Sequence, residues 1–573
     1  MSSNAIQECA AELRAEREAK AAGNVASLRV EQKPAPIIQF PSTEVKAPTT
    51  ALAQLEQIKN EQPRPDAAQR AAQWAQSIAT ALNAFQDQYG NFNVKLPLGE
   101  RIEVAPIGSE AVADAIRDIA RRESGRVIGN DVIATVCSTL RTGARAKPGE
   151  HLFRRVGKDG SDYLIDRGDA GGHCFRVNAT GMTIEKNDTI PFRRGRGYGE
   201  LPVPVVPAAA AQAWGFVAPM VENVSEDDKL AVVAAAVEHL RCDSPNPILA
   251  FVGPEGSSKS SVAERLARAV DQFEGDMPST EQDPRDMIAA AQVRHAVVMD
   301  NVTAGLPENL MCRISTGGAV TQREYFTNAD ALTLPIHAAL ILTAITPPLR
   351  QSDTLDRALI VPVQKPRAYR PEAEVRAEYA AKLPEVLGGL LFFLQESLRV
   401  REAVARQRDW KHRMVAWNQT GEAIAQALGH PPGYFVEQMA GKRQCAAADY
   451  VEGDTFARSL VKALHVWAGE AKPAEKLPSY RYWHKAPGWC AAEIKGRVFI
   501  AASAQAICGA VARQCDEWSS RGPTLPSTAR ATTGALQRVQ GVLGRAGIEA
   551  SLQPINGAKN SAWVFLLPAT GRE

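Results

Sequence analysis

Nine cysteines are spread over the 573 residues with no C-x-x-C pair among them, and the nine histidines include no H-x-x-x-H pair. Zinc ribbons and zinc fingers need such spacings and disulfide scaffolds need a clustered, even set, so neither organises this chain; no structural metal and a reducing cytoplasm are expected. No apolar run reaches the roughly 18 residues of a membrane span. The opening MSSNAIQECAAELRAEREAK places charges where a secretory signal needs its apolar stretch, so neither export nor membrane insertion is expected. An excess of one charge is lacking as well: 66 Lys and Arg face 64 Asp and Glu, a formal net of +2. What is present is ordinary globular material, 45% hydrophobic and 23% charged, long enough for about four domains.

Composition and period divide the chain. Residues 1–65, rich in Ala, Gln and Glu with Pro-punctuated stretches, read as a disordered or loosely structured tail. Residues 66–148 carry three helix-like patterns, AAQRAAQWAQSIATALNAF, SEAVADAIRDIARRE and NDVIATVCSTLRTGA, and are expected to form a small helical domain. Residues 149–205 switch to short alternating runs separated by KDGS, GDAGG and NATG, the pattern of a small antiparallel β module, and ELPVPVVPAAA follows as a hinge or strap. Across 206–370 apolar strand-like runs alternate with helices, which predicts an α/β core with a mostly parallel sheet. Residues 371–480 read as an α-helical region. Residues 481–573 end in a helix and two strands, the outline of a winged-helix-like unit.

The strongest chemical signal is ILAFVGPEGSSKSSVAERLARAV. An apolar strand enters the loop Gly253, Pro254, Glu255, Gly256, Ser257, Ser258, Lys259, Ser260, Ser261, and a helix leaves it. This fits G-x-x-x-x-G-K-[ST] except that Ser258 stands where the second glycine belongs, a position that demands close backbone approach or positive φ. In such a P-loop the amides and helix N-terminus surround the phosphates of ATP, Lys259 adds charge at the β and γ phosphates, and Ser260 ligates Mg2+. A plain Gly/Ser turn opening a helix is the simpler alternative. A second apolar run, HAVVMD, ends in Asp300, placed to orient the Mg2+ water shell. Asn301 stands where many ATPases carry the glutamate that polarises water; Glu255 is another carboxylate at hand. Thr343 ends a third strand where a side chain could sense the γ phosphate. Arg357, in DTLDR, is either an arginine finger across a subunit interface or a partner of Asp353 or Asp356.

Together GPEGSSKS, VVMDN, LMCRISTGG with REYFTNAD, ALILTAI and DTLDRALIVPV resemble the ATP-binding proteins of phages, plasmids and integrative elements, whose ATPase core is similar to the superfamily three helicases of the AAA+ class. The resemblance runs from about residue 151 to about 401. It implies Lys259 and Ser260 as Walker A ligands, Asp300 as Walker B carboxylate, Thr343 as sensor, Arg357 as finger, and Arg323 on a hairpin that touches DNA. The departures at Ser258, Asn301 and Thr343 bear on hydrolysis more than on nucleotide binding. No primase motif precedes the core.

Charge is uneven beneath the neutral total. Residues 141–200 hold twelve Lys or Arg against eight Asp or Glu, and residues 521–573 six against two, leaving a net acidic remainder. Arg193, Arg194 and Arg196, interleaved with Phe192, Tyr198 and glycines, suit a DNA-backbone loop or, more blandly, a solvated basic loop. The expected protein is a cytoplasmic homo-oligomer that uses ATP and Mg2+ to remodel or unwind single-stranded or origin DNA when a mobile element or phage replicates. The alternative is an ATP-gated replication initiator or regulator that hydrolyses slowly. A small-molecule kinase fits poorly with a basic C-terminal unit.

Overall fold

The computed structural model describes residues 75–567 apart from 126, 304, 324–330, 408–409, 411–412, 478–487, 516–524 and 556–559, all within one unit, Gln69–Glu573. The tail expected over 1–65 lies outside the described residues. No described helix is long and apolar enough to cross a membrane, and Cys137, Cys174, Cys242, Cys312, Cys490, Cys508 and Cys515 are free thiols.

The segment expected to be all-helical is mixed. β1 (Asn83–Gln86), β2 (Phe92–Leu98) and β3 (Arg101–Pro106) form an antiparallel meander. Its turns use Gly90 and Gly99 at positive φ. The helices Glu110–Ser124 and Asn130–Arg145 follow, the first capped by Ser109, whose Oγ accepts from the Val112 amide, and ended by Gly125 in the left-handed region. The helical expectation failed because the Ala- and Gln-rich run before β1 was extended through short strands. Their period-two burial, with Val94 and Leu96 turned inward, was the competing signal.

β4 (Val156–Asp159), β5 (Asp162–Asp166), β6 (His173–Val177) and β7 (Met182–Lys186) pair as a four-stranded antiparallel sheet. Arg155, fully buried, ties this sheet to the following core. Its Nε donates to Asp271 Oδ1 at 3.0 Å, and its other nitrogens donate to the carbonyls of Asp166, Gly199 and Gln272. The guanidinium also lies 3.5 Å from the Tyr198 ring centroid.

The core is a parallel sheet of β8 (Ile248–Val252), β9 (Ala296–Met299), β12 (Ala339–Ala344) and β13 (Ala358–Pro362), in the order β13-β8-β12-β9. All four strands are apolar because helices cover both faces. Ser279 adds a single parallel bridge to Val298 outside β9. Between β9 and β12, β10 (Ala319–Arg323) and β11 (Ala331–Pro335) form a separate antiparallel hairpin. After β13 runs the 35-residue helix Glu372–Arg406. The Pro-rich strap over 201–207 crosses this helix, the Val205 amide donating to the Pro384 carbonyl. A Cβ on Gly388 would stand 1.8 Å from the Val205 carbonyl oxygen, so the close approach depends on that glycine.

The helices Val415–Ala427, Tyr434–Gly453 and Thr455–Gly469 follow. The chain ends in β14 (Lys472–Pro473), β15 (Trp489–Ile494), β16 (Arg497–Ala502), the helices Ala504–Arg513 and Ala529–Arg545, β17 (Glu549–Ile555) and β18 (Asn560–Leu567). The terminal strands do pair, but within a five-stranded sheet of order β14-β15-β16-β18-β17 rather than as an isolated pair.

Two histidines, His239 and His295, are buried in the core and a third, His337, is half-buried at its edge. His239 Nε2 pairs with the Pro247 carbonyl at 2.8 Å, His295 with the His239 carbonyl, and His337 Nε2 with the Ser244 carbonyl at 3.1 Å. Burial holds His239 at a pKa of about 4 and, aided by the nearby Arg154 charge, His337 at about 3. Below the ordinary value near 6.5 the unfolded chain takes up protons that the folded chain refuses, so stability must fall as pH drops from there toward 4. For His239 alone the loss is about 2 kcal/mol by pH 5. Urea unfolding between pH 7 and pH 5 should show this decline, and His239→Gln should flatten it; a flat wild-type profile would contradict burial of the neutral rings. Gly388→Ala should lower stability by about 1–3 kcal/mol or more, read as a fall in Tm.

Candidate phosphate-binding site

β8 lies inside the sheet and is apolar throughout, so its carboxyl end delivers the following loop to the crevice where parallel strands stop. Gly253 leaves the strand with its amide donating to the Ala344 carbonyl at 3.1 Å. A Cβ there would meet the Val363 carbonyl oxygen at 2.6 Å and Ser257 Oγ at 2.8 Å. Gly256 turns the loop at φ +73° and Ser258 at φ +62°, ψ +27°. The position where a second glycine was expected therefore has the left-handed backbone that glycine ordinarily supplies, and a serine adopts it. Helix Lys259–Val270 begins immediately after. Pro254, Glu255 and Gly256 are exposed, Ser257 is buried and Ser261 half-buried. Lys259 Nζ donates to the Pro254 carbonyl at 2.9 Å.

Asp300 follows β9, separated from β8 by β12, and three segments meet on it. Its Oδ1 accepts from Ser260 Oγ at 2.7 Å and from Thr343 Oγ1 at 2.6 Å. Thr343 Oγ1 in turn accepts from the Asn301 amide at 2.7 Å, and the Thr343 carbonyl accepts from Val302. Thr343 is thus a clamp on Asp300, buried at the end of β12. Asn301 has φ +54° and an exposed side chain. The sequence reading missed Ser279, whose Oγ accepts from the Asp300 amide at 3.1 Å; one serine among loop residues carries no periodic signal.

A cavity of about 240 Å³ adjoins the loop, lined by Ser258, Ser261, Asn223, Tyr369, Arg376 and Tyr379 among others. The exposed Tyr369 reaches the phosphate loop, its hydroxyl 2.9 Å from where a Cβ on Gly256 would stand. Nothing in the sequence singled out Tyr369, because its proximity comes from the chain's return after β13.

Hard oxygen donors from Ser260 and Asp300 fit Mg2+, which prefers few carboxylates and completes its shell with phosphate and water. Among the described residues no group of three or more His, Cys, Asp or Glu could hold a metal. Ser260 and Asp300 would therefore hold Mg2+ only together with a nucleotide.

Other candidates are placed differently. Arg194 makes a bidentate pair with buried Asp166 at 2.8 and 2.7 Å, and so is no DNA-contact residue: the buried carboxylate has captured it. Arg193 is half-buried, donating to Asn93 Oδ1, whereas Arg196 is exposed. Arg357 is turned to Asp353, 2.5 Å from its Oδ2 and 2.7 Å from its carbonyl, and is only 14% exposed. The in-chain ion pair, rather than a projecting finger, is the arrangement present. Arg323 ends β10; its side chain, Tyr325 and Asn328 lie outside the described residues.

Residues 219–427 match the model of a family described as actinomycete integrative conjugative element replication protein. The resemblance to proteins of integrative elements therefore holds over that segment. Among solved structures the chain is similar to one described as "SCCmec type IV Cch - active helicase", at 10% identity and a TM-score of 0.43, over 85% of this chain and 93% of that one. It is also similar to an apo structure of the NrS-1 C-terminal region, at 10% identity and a TM-score of 0.33, over 87% and 99%. A third, a JCV helicase, has 16% identity and a TM-score of 0.20, over 40% and 63%. No curated protein sequence matches the chain.

The backbone at Ser258 makes a sharp prediction. Ser258→Gly should change stability by no more than about 1 kcal/mol, since relief of the left-handed strain is offset by added chain entropy. Ser258→Val, β-branched at positive φ, should destabilise the loop and lower the Tm measurably more than Ser258→Gly does. Equal behaviour of the two variants would show that the loop does not hold this conformation.

Proposed function

We propose that this chain is a replication ATPase of a mobile element, binding ATP and Mg2+ at the loop after β8 and coupling nucleotide state to DNA remodelling or unwinding. The observation that carries the reading is the convergence of Ser260, Asp300 and Thr343 at the start of the helix that follows a glycine-rich loop. Strand-loop-helix geometry, a lysine at the helix start and a carboxylate from a strand one removed are together what phosphate and Mg2+ require. The family match over 219–427 supports the setting in mobile-element replication.

In this reading the loop amides and helix N-terminus take the β phosphate, and Lys259 swings from the Pro254 carbonyl to the β and γ phosphates. Bound Mg2+ would neutralise charge as the γ phosphate departs. Ser260 and Asp300 orient it, and Thr343 and Ser279 hold Asp300. The cavity under Tyr369 takes the nucleoside. DNA would meet the hairpin ending at Arg323, the exposed Arg196 and the C-terminal unit. There β16, two helices and the β17-β18 pair follow one another as in a winged helix.

A second reading, an ATP-gated initiator with slow turnover, is favoured by two observations. Asn301 cannot accept a proton from water, and Arg357 must break its pair with Asp353 before it can reach a neighbouring subunit's nucleotide. Turnover with and without single-stranded DNA separates the two. The motor reading expects DNA-stimulated hydrolysis, abolished by Lys259→Ala and reduced on the order of 100-fold or more by Arg357→Ala with ATP binding retained. ATP binding without DNA-stimulated turnover would leave the initiator; no ATP binding would remove both. Asn301→Glu should raise turnover if the missing base limits the rate, and unchanged turnover would exclude that cause.

A further inference from the structure

A second cavity, about 170 Å³, lies at the edge where the core strands begin, opposite the phosphate loop. It is lined by residues of three neighbourhoods: Tyr89 after β1, Arg154 and Arg193 beside the antiparallel sheet, and Gly318 and His337 at the root of the β10-β11 hairpin. Among the described residues neither guanidinium hydrogen-bonds a carboxylate. Arg154 donates to the Ala291 and His337 carbonyls. Arg193 donates to Asn93 Oδ1 at 3.0 Å, and its Nε is buried without a partner.

The carboxylates close by are already engaged. Asp271 accepts from Arg155 and from the His295 and Ala296 amides, and Asp87 from the Tyr89 and Asn91 amides. Two like charges are therefore held together in a partly desolvated cavity; Asp271 and Asp87 offset them in part through space, but neither is hydrogen-bonded to Arg154 or Arg193, so a further anion that bonds both guanidinium groups would be stabilised there. Burial and the Arg193 charge push the Arg154 pKa down to about 10, the expected effect of such crowding. At the mouth the exposed His151 ring stacks on Phe153, centroids 5.3 Å apart and planes 24° from parallel. The Tyr89 ring is 37% exposed and its hydroxyl donates to the Gly318 carbonyl.

We propose that this cavity is an anion site which takes a backbone phosphate of single-stranded nucleic acid between Arg154 and Arg193, with His151 offering its ring to an adjacent base. Guanidinium groups suit phosphate oxygens and aromatic faces accept any base, so the site would grip a strand without reading sequence. Because Gly318 and His337 belong to the hairpin root, an occupied site would fix the strand next to that hairpin. The inference rests on the nucleic-acid part of the proposed function and is independent of nucleotide binding at Lys259.

The test is anisotropy of a labelled oligo(dT) with the full chain, comparing wild type, Arg193→Gln, His151→Ala and, as a general charge control, the exposed Arg399→Gln. Arg193→Gln should weaken binding on the order of tenfold and make the dependence of log K on log salt shallower by about one. His151→Ala should weaken it several-fold, and Arg399→Gln should not, with MgATP affinity unchanged in all. Wild-type affinity and salt slope in Arg193→Gln would overturn the proposal. Should Arg193→Gln lack a cooperative unfolding transition, His151→Ala decides, and full affinity there would overturn it. Inorganic phosphate, compared with chloride at equal ionic strength, separates the ligand sources. If wild type binds no oligonucleotide while phosphate raises its Tm and Arg193→Gln abolishes the rise, the strand ligand is overturned, and the nucleic-acid reading of the protein falls with it. If wild type binds oligonucleotide but all variants match it, only this site falls.

Discussion

A single carboxylate oxygen organises the candidate site. Asp300 Oδ1 accepts two hydroxyl groups, one from the helix after β8 and one from the end of β12, and Asp300 itself extends β9. Three segments of the core are joined where their side chains face the phosphate loop. A hydrogen bond to a charged acceptor contributes roughly 1.5–3 kcal/mol, so the two bonds fix the relative depth of loop, carboxylate and clamp. Movement of Ser260 would be felt directly by Asp300, through it by Thr343, and through Asn301 by the chain leading toward the hairpin.

The surroundings are rigid for a separate reason. Arg155 and Asp271 form a fully buried ion pair, and the carbonyls of Asp166, Gly199 and Gln272 that the same guanidinium bonds belong to the antiparallel sheet, the 199 turn and the core. Removing one member of such a pair would leave an uncompensated buried charge, a penalty of about 3–5 kcal/mol. Arg194 and Tyr198 both bond Asp166 in the same neighbourhood. The basic, aromatic segment after β7 is therefore mostly mortar between sheet and core. Arg193 stands apart from it, facing a cavity with an unpartnered nitrogen.

Much of this is legible in the sequence. The strand run from 248 to 252, its loop and its helix appear where the motif placed them, and Ser260 and Thr343 do converge on Asp300. These are local patterns or strand ends of a parallel sheet, and the period of apolar residues carries both. Illegible were contacts made by chain return: Tyr369 over the loop and Ser279 behind Asp300; the local pair of Arg357 with Asp353 was one of the two readings its spacing allowed. The charge of Arg194 was visible, but not that Asp166 lay opposite it, since pairing across 28 residues leaves no mark in composition. The β1-β3 meander was obscured by the helix-forming residues before it. Ser258 was flagged as a departure; its backbone shows that the departure is in side chain alone.

The account stands on Ser260 and Asp300 acting as a Mg2+-dependent phosphate site. Calorimetric titration of ATP into the full chain, with Mg2+ and then with a chelator, addresses this most directly. The account predicts one site whose affinity falls at least tenfold without Mg2+ in wild type and is nearly insensitive to Mg2+ in Asp300→Asn. Binding of equal strength with and without Mg2+, or no binding at all, would contradict it.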